Sequence, residues 1–423
     1  MEVLKSGLFR AAYFLYTNTS AGYYYHAHNL ATAERKFRPN DIKAHSKETH
    51  FDYGPISVHV IPFCMDNYCY IVVDTVSLSA LVVDPGDATP VVDFFARNTN
   101  YKPIAILCTH KHWDHCAGNG ELLEKYPHLE IFASEDDGAY LSNRTFRDSE
   151  EIALGQGLFS SASITAYEMP GHTVGHALFC ISPVSSNRTA ENMKIQSNSR
   201  NDSIGRILSL DPDFENESLT ITSYQHHHGT SANKHQTIPT ITYNGTGRLG
   251  ENDHEEITNS ADEIQDEATL PPLLFTGDCL FMNGIGKMFE CPSVVMAATL
   301  QRIMDIFPDT TLVWPGHEYT MTFVKFTLNE IEPENEVLQE RFRKISELTE
   351  QKLPTVPSLF KTEKECNPFL RTAKLSSENK DFMKKSPSDI LQILADRKDK
   401  FAKSLNANSP AASSSEFVGS NSN

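Results

Sequence analysis

Residues 109–115 read THKHWDH, placing three histidines and one carboxylate within seven positions. The stretch follows the apolar run Ile104 to Cys108, which is short, bounded by Pro103, and reads as a buried strand. His110 and His112 leave that strand two residues apart. Side chains at that spacing point the same way from extended backbone, so both imidazoles reach one ion, while Asp114 and His115, beyond the register, turn toward another. The plainer readings are a solvated His-rich turn or a structural zinc site. A structural site more often recruits thiolates, and the chain has no CxxC pair.

Working outward, the segment Ile56 to Gly86 reads strand, turn, strand: ISVHVIPF, then CYIVVD, then SALVVDPG, with alternation and β-branched residues throughout. Asp84 closes the third strand, placed either to support a metal shell from behind or to cap the helix expected from Pro90 to about Asn98. A second helix is expected from Glu121 to Tyr126. Alternating strands and helices of this kind indicate an α/β layered domain.

A second cluster follows the alternating run Ser163 to Met169, where Pro170, Gly171, His172, Thr173, Val174, Gly175 and His176 form a loop. His172 is the candidate ligand. His176 precedes the strand ALFCI and is expected to face away in a supporting or structural role. Farther on, LLFTGDCLF reads as a strand ending in Gly277 and Asp278, and TLVWPGHEY repeats the design with Pro315, Gly316 and His317. Strand ends are where open α/β sheets build their sites. The inventory permits His110, His112 and His172 on one ion, Asp114, His115 and His317 on another, and Asp278 bridging. A shared carboxylate holds two ions close enough to share one water and lower its pKa, which implies hydrolysis at a carbonyl or phosphoryl centre. Asp114 and Asp278 are thus the catalytic candidates.

Composition bounds the rest. At 423 residues two domains are the natural expectation, and a net charge of −18 argues against a nucleic-acid groove. Eight scattered cysteines, several in apolar runs, read as reduced thiols in an intracellular protein. No apolar run is long enough to span a bilayer. Between Ser185 and Leu270, fourteen Asp and Glu against six Lys and Arg contribute −8 of the total charge, with few apolar clusters. That stretch reads as a disordered insertion, and its His226, His227 and His228 as low-complexity drift.

The first forty residues differ again. Leu4, Leu8, Phe9, Ala12, Phe14, Leu15 and Tyr16, with Lys5, Arg10 and the later Tyr23, Tyr24 and Tyr25, suit three readings: a helix packed on the main domain, a membrane-surface anchor, or a mitochondrial targeting segment. Gly54 and Pro55 mark a boundary after this segment. Near the other end, Val337, Leu338, Phe342, Ile345 and Leu348 fall on one helical face, and Ile390, Leu391 and Leu394 begin another.

Taken together, THKHWDH, PGHT (170–173), FTGD (275–278) and PGHEYT (315–320) resemble the hydroxyacylglutathione hydrolase (glyoxalase II) branch of the metallo-β-lactamase fold. The likeness continues through FTGDCLFMNGIGKMFE, PGHEYTMTFVKFTLNEIEPEN, PTVPSL and NPFLRT, from about Ile56 to Phe401 apart from the insertion. GLFRAAYFLYT, GYYYHAHNL and HSKE resemble one member of that family in particular. The resemblance implies an αββα sandwich with a C-terminal helical substrate-binding domain. It divides the chain into an N-terminal segment (1–54), a metallo-β-lactamase domain (55–317, insertion about 184–270), a helical domain (318–405) and a disordered tail (406–423). It further implies two divalent ions, zinc first with iron or manganese as alternatives, and a glutathione thioester such as S-D-lactoylglutathione as substrate.

Lys287, Tyr319 and Lys398 match positions that hold the glutathione portion. Phe289 stands where the family often has Tyr, Ala395 where an Arg is expected, and Ile285 in place of a common Cys. Two alternatives accompany the hydrolase reading: a persulfide dioxygenase with a single iron, and a weakly active regulator that binds a protein partner. The expected location is intracellular, mitochondrial or membrane-associated, with the cytoplasm as the alternative. Peripheral membrane contact would run through the N-terminal segment.

Overall fold

The computed structural model describes residues 2–37, 44–155, 157–183 and 270–407. Most of the acidic stretch, the His226–His228 triple and the tail from residue 408 lie outside them.

Six strands, hydrogen-bonded in chain order, form the first sheet: β1 (Thr49–Tyr53), β2 (Ile56–Phe63), β3 (Asn67–Asp74), β4 (Ser79–Val83), β5 (Lys102–Leu107) and β6 (Glu130–Phe132). The first four pair antiparallel, and β4, β5 and β6 run parallel. All eight residues of β3 are buried, as expected of a strand covered on both faces. The second sheet contains β7 (Glu150–Glu151), β8 (Ala162–Glu168), β9 (Ala177–Pro183), β10 (Leu273–Gly277), β13 (Leu312–Pro315) and β14 (Ser358–Leu359), in the order β14-β13-β10-β9-β8-β7. The short hairpin β11 (Leu280–Phe281) and β12 (Gly284–Ile285) stands apart. Ile181 on β9 pairs with Leu273 on β10, so the two strands flanking positions 184–269 are neighbours in one sheet.

Val58, Val60, Tyr70, Leu81 and Leu107 of the first sheet meet Phe179, Ile181, Phe275 and Trp314 of the second in one buried core. The opposite faces are covered by helices. Helix α3 (Ala88–Arg97) lays Val91 and Phe94 against Ile71 and Val82. On the far side, Met296, Leu300 and Ile303 join Leu274 and Val313, with Phe360, Ile390, Leu391 and Leu394 from the C-terminal helices. The result is the αββα sandwich with its helical addition.

Several expectations are corrected. The Gly54–Pro55 boundary is the turn of an antiparallel hairpin, because β1 pairs with β2 from Thr49↔Val60 to Tyr53↔Ile56. The first sheet therefore begins at Thr49, before residue 55. Helix α3 starts earlier than Pro90, and its cap is Asp87, whose carboxylate accepts from the Thr89 N–H at 2.9 Å. Val337 is 50 % exposed and faces away from the core that Leu338 and Ile345 enter. All eight cysteines are free and buried, in keeping with their reading as small apolar residues.

Residues 2–37 form two helices, α1 (Glu2–Asn18) and α2 (Ser20–Phe37), packed on the main domain. His26 Nε2 donates to the Gly86 carbonyl at 2.8 Å, and Trp113 Nε1–H donates to the Tyr16 carbonyl at 2.8 Å. Among the described residues no helix is long and apolar enough to cross a membrane.

Candidate metal centre

THKHWDH begins just past the end of β5, and its last three residues lie in the single-turn helix α4 (Trp113–Cys116). That change from extended to helical backbone separates His110 and His112 from Asp114 and His115. His110 Nε2 and His172 Nε2 each lie 3.0 Å from His112 Nδ1. Three nitrogens so spaced approximate the edge of a tetrahedron, about 3.3 Å when ligand bonds are about 2.0 Å. Beside them His115 Nε2 and His317 Nε2 are 3.2 Å apart, and Asp114 Oδ2 lies 3.9 and 3.5 Å from them.

Asp278 stands between the two sets. Its Oδ2 is 3.5 Å from His172 Nε2, and its Oδ1 is 3.4 Å from both His115 Nε2 and His317 Nε2. Oδ1 is buried and accepts no hydrogen bond. A buried carboxylate oxygen left without a donor, facing only ring nitrogens, fits a cation. Gly277 makes the placement possible: its φ is +46°, and a Cβ there would lie 2.3 Å from Thr109 Oγ1. The groups His110, His112, His172 and Asp114, His115, His317 can each hold a metal ion, with Asp278 joined to His110 and His115 in a third overlapping group.

The nitrogens turned away from the centre are all partnered. His115 Nδ1 donates to Asp84 Oδ2 at 3.0 Å, His317 Nδ1 to Asp66 Oδ1 at 2.8 Å, and His172 Nδ1 to the Lys287 carbonyl at 2.7 Å. His110 Nδ1 lies 3.0 Å from Thr109 Oγ1, which itself donates to Asp84 Oδ2 at 2.7 Å. His112 Nε2 lies 2.9 Å from the hydroxyl of Tyr13 on α1. Such partners fix which ring nitrogen faces the ion. Asp84 thus stands behind the site, the capping alternative having passed to Asp87. It holds a φ of +52°, strained backbone that two hydrogen bonds from Thr109 support. His176 does not face away: its ring stacks 5.0 Å from His110 and its Nε2 accepts from the Asp278 N–H at 3.2 Å.

Charge is divided between the sets. Burial, reinforced by neighbouring imidazoles, lowers the pKa of His110 and His172, and burial brings His112 to about 4, which keeps these rings neutral. Burial also works against protonation of His115 and His317, but Asp278 and the nearby carboxylates outweigh it, raising His317 to about 10. For Asp114, burial is overcome by His115, His317 and His112, and its carboxyl sits well below the usual range.

The expected substrate contacts surround the mouth. Phe289 packs 5.6 Å from the His112 ring and 5.2 Å from His172. Tyr319 stacks on His317 at 4.8 Å. Lys287 is half exposed, and both it and Lys398 pair with Asp399, at 3.8 and 2.8 Å. Ile285 is buried on β12. Sequence reasoning missed Asp66, which lies in the β2–β3 turn without a motif, and Tyr13, Tyr16 and Glu290, whose roles depend on α1 docking.

Two family models match the chain: the metallo-beta-lactamase superfamily over residues 64–185 and the hydroxyacylglutathione hydrolase C-terminus over residues 318–401. The chain is thus similar to hydroxyacylglutathione hydrolases in both its sandwich and its C-terminal helical region. Relatives bearing that family name include a Synechocystis protein, 27% identical over 75% of this chain and 89% of its own length. A cytoplasmic Arabidopsis thaliana hydroxyacylglutathione hydrolase is 26% identical over 81% and 97%, and a Gloeobacter violaceus one 28% over 74% and 88%. The shared span takes in both the sandwich and the helical region that characterise the family.

Proposed function

We propose that the chain is a dimetal thioester hydrolase that cleaves a glutathione thioester, such as S-D-lactoylglutathione, to a hydroxy acid and free glutathione. Asp278 carries the reading, since its two oxygens face the two nitrogen sets at 3.4 to 3.5 Å and Oδ1 has no other partner. When bound, the ions supply Lewis acidity toward the thioester carbonyl and lower the pKa of water to near neutrality.

The chain's own groups do the rest. His110, His112 and His172 hold one ion, Asp114, His115 and His317 the other, and Asp278 keeps the two together. Asp114, held ionised by its imidazole neighbours, offers Oδ2 to the second ion. Lys287 and Lys398 present cations to the carboxylates of glutathione, exchanging Asp399 for substrate. Tyr319, its ring fixed on His317, turns its hydroxyl to Asp66 and becomes a substrate donor only by exchanging that partner. Phe289 contributes an apolar wall. A single-iron dioxygenase would leave the set around Asp278 Oδ1 without use, which favours the dimetal reading.

Nitrogen and oxygen donors without sulfur suit zinc, and accept iron or manganese. We place the protein inside the cell, with Leu8, Phe14 and Leu15, exposed on α1, available for peripheral contact with a membrane surface. A reporter fused to residues 1–45 that stays diffuse would remove that last element. The function itself is tested with S-D-lactoylglutathione, a thioester lacking glutathione, and Asp278→Ala. Turnover of the first substrate alone, lost in the variant, is expected; full activity in Asp278→Ala would refute the mechanism.

A further inference from the structure

Of the five imidazoles at the centre, four have their outward nitrogens held by groups of the sandwich itself: Thr109, Asp84, the Lys287 carbonyl and Asp66. The fifth, His112, is held by the N-terminal hairpin, through the Tyr13 hydroxyl at 2.9 Å. That hydroxyl donates to Glu290 Oε1 at 3.0 Å, so its oxygen accepts from the His112 Nε2–H. Glu290 is fixed in turn by the Lys111 ammonium at 2.7 Å and by the Val174 N–H at 2.8 Å. Imidazole to hydroxyl to carboxylate is the same sequence of bonds that His110 makes through Thr109 to Asp84.

One turn farther along α1, on the same face, the Tyr16 hydroxyl donates to Asp114 Oδ1 at 3.2 Å, while Oδ2 faces His317 and His115 and accepts from Asn67 Nδ2 at 3.2 Å, so the carboxylate is held from both sides, by the sandwich and by the hairpin. The Tyr13 ring stacks on Phe289 at 5.1 Å, and Phe9 stacks on the same ring at 6.1 Å. The hairpin is packed closely both within itself and on the motif: a Cβ at Gly22 would lie 1.8 Å from the Tyr16 carbonyl of α1 and 2.5 Å from Trp113 Nε1.

We propose that the N-terminal hairpin is a working part of the metal centre, with Tyr13 and Tyr16 as positioning residues. Tyr13 holds His112 with Nδ1 toward its ion, and Tyr16 holds the Asp114 carboxylate with Oδ2 toward the other. The inference rests on the dimetal reading, and its test reads metal binding rather than thioester turnover. The sandwich thus borrows an orienting group for each of its two ion sites from a segment outside it.

The full chain, its Tyr13→Phe and Tyr16→Phe variants, and Gly22→Ala are stripped of metal and titrated with zinc against a chromophoric chelator. Cobalt-substituted samples are followed by visible absorption. Tyr13→Phe keeps the stack on Phe289 and is expected to weaken one equivalent about 10- to 100-fold with a changed cobalt spectrum, the other equivalent serving as an internal control of folding. Tyr16→Phe should weaken the other equivalent, and Gly22→Ala, whose methyl would crowd the Tyr16 carbonyl and Trp113 and so unseat the hairpin with both hydroxyls still present, should weaken both. Wild-type affinities and spectra in all three variants would overturn the proposal. So would unchanged metal binding with faster thioester turnover, since the hairpin would then be a cover rather than a support. A wild-type chain that takes up no metal would overturn the dimetal reading along with it.

Discussion

The floor of the site and its mouth are built on different terms. On the floor, five imidazoles and two carboxylates meet almost out of contact with solvent, and each ring is fixed from behind by a partner at 2.7 to 3.0 Å. At the mouth, Lys287 and Lys398 lean on one half-exposed Asp399, and Phe289 offers only an apolar ring. Metal chemistry demands geometry within tenths of an ångström, which only a fixed, fully partnered shell provides, whereas substrate capture tolerates flexible cations. In the proposed hydrolase the floor determines whether the reaction occurs, and the mouth which thioester enters.

Substitutions should reproduce this gradient. The largest effect is expected at Asp278→Ala, which removes the one carboxylate common to both sets: turnover should fall on the order of 1000-fold or more, with metal content reduced in the same sample. Next comes Asp66→Ala, which leaves the outward nitrogen of His317 without its 2.8 Å partner; metal affinity should fall about 10- to 100-fold in a chelator competition. At the mouth, Lys398→Ala should raise KM about fivefold and leave kcat nearly unchanged, because the cation is partly exposed and acts on binding alone. The smallest change should come from Asp399→Asn, which frees both lysines and lowers KM by roughly twofold. If Lys398→Ala cut kcat as deeply as Asp66→Ala, the division between floor and mouth would fail.

The floor was legible because its residues come in dense local patterns. THKHWDH, PGHT, FTGD and PGHEYT each place a ligand type beside glycine, proline or a strand end, and strand ends converge on one edge of the sandwich. The groups behind the ligands were mostly not legible. Asp66 reaches His317 across 251 positions, and Tyr13 reaches His112 across 99, so no local spacing announces either contact. Asp84 was legible only as a choice, since a carboxylate before Pro-Gly suits a turn or a cap equally, and the neighbouring Asp87 took the cap. Gly54–Pro55 misled for a related reason: the same residues that punctuate domains also make two-residue hairpin turns, and only pairing with β1 separates the two. His176 shows the limit of reasoning from strand direction, since its ring lies beneath the centre and receives the Asp278 N–H.

The claim on which the rest depends is that two cooperating ions serve one hydrolytic site. Metal-stripped protein titrated with zinc while thioester cleavage is followed tests it most directly. Activity should stay low through the first equivalent, rise with the second and level off near two per chain, as expected for two sets joined by Asp278. Full activity reached at a single equivalent, with no further change on adding metal, would contradict the account.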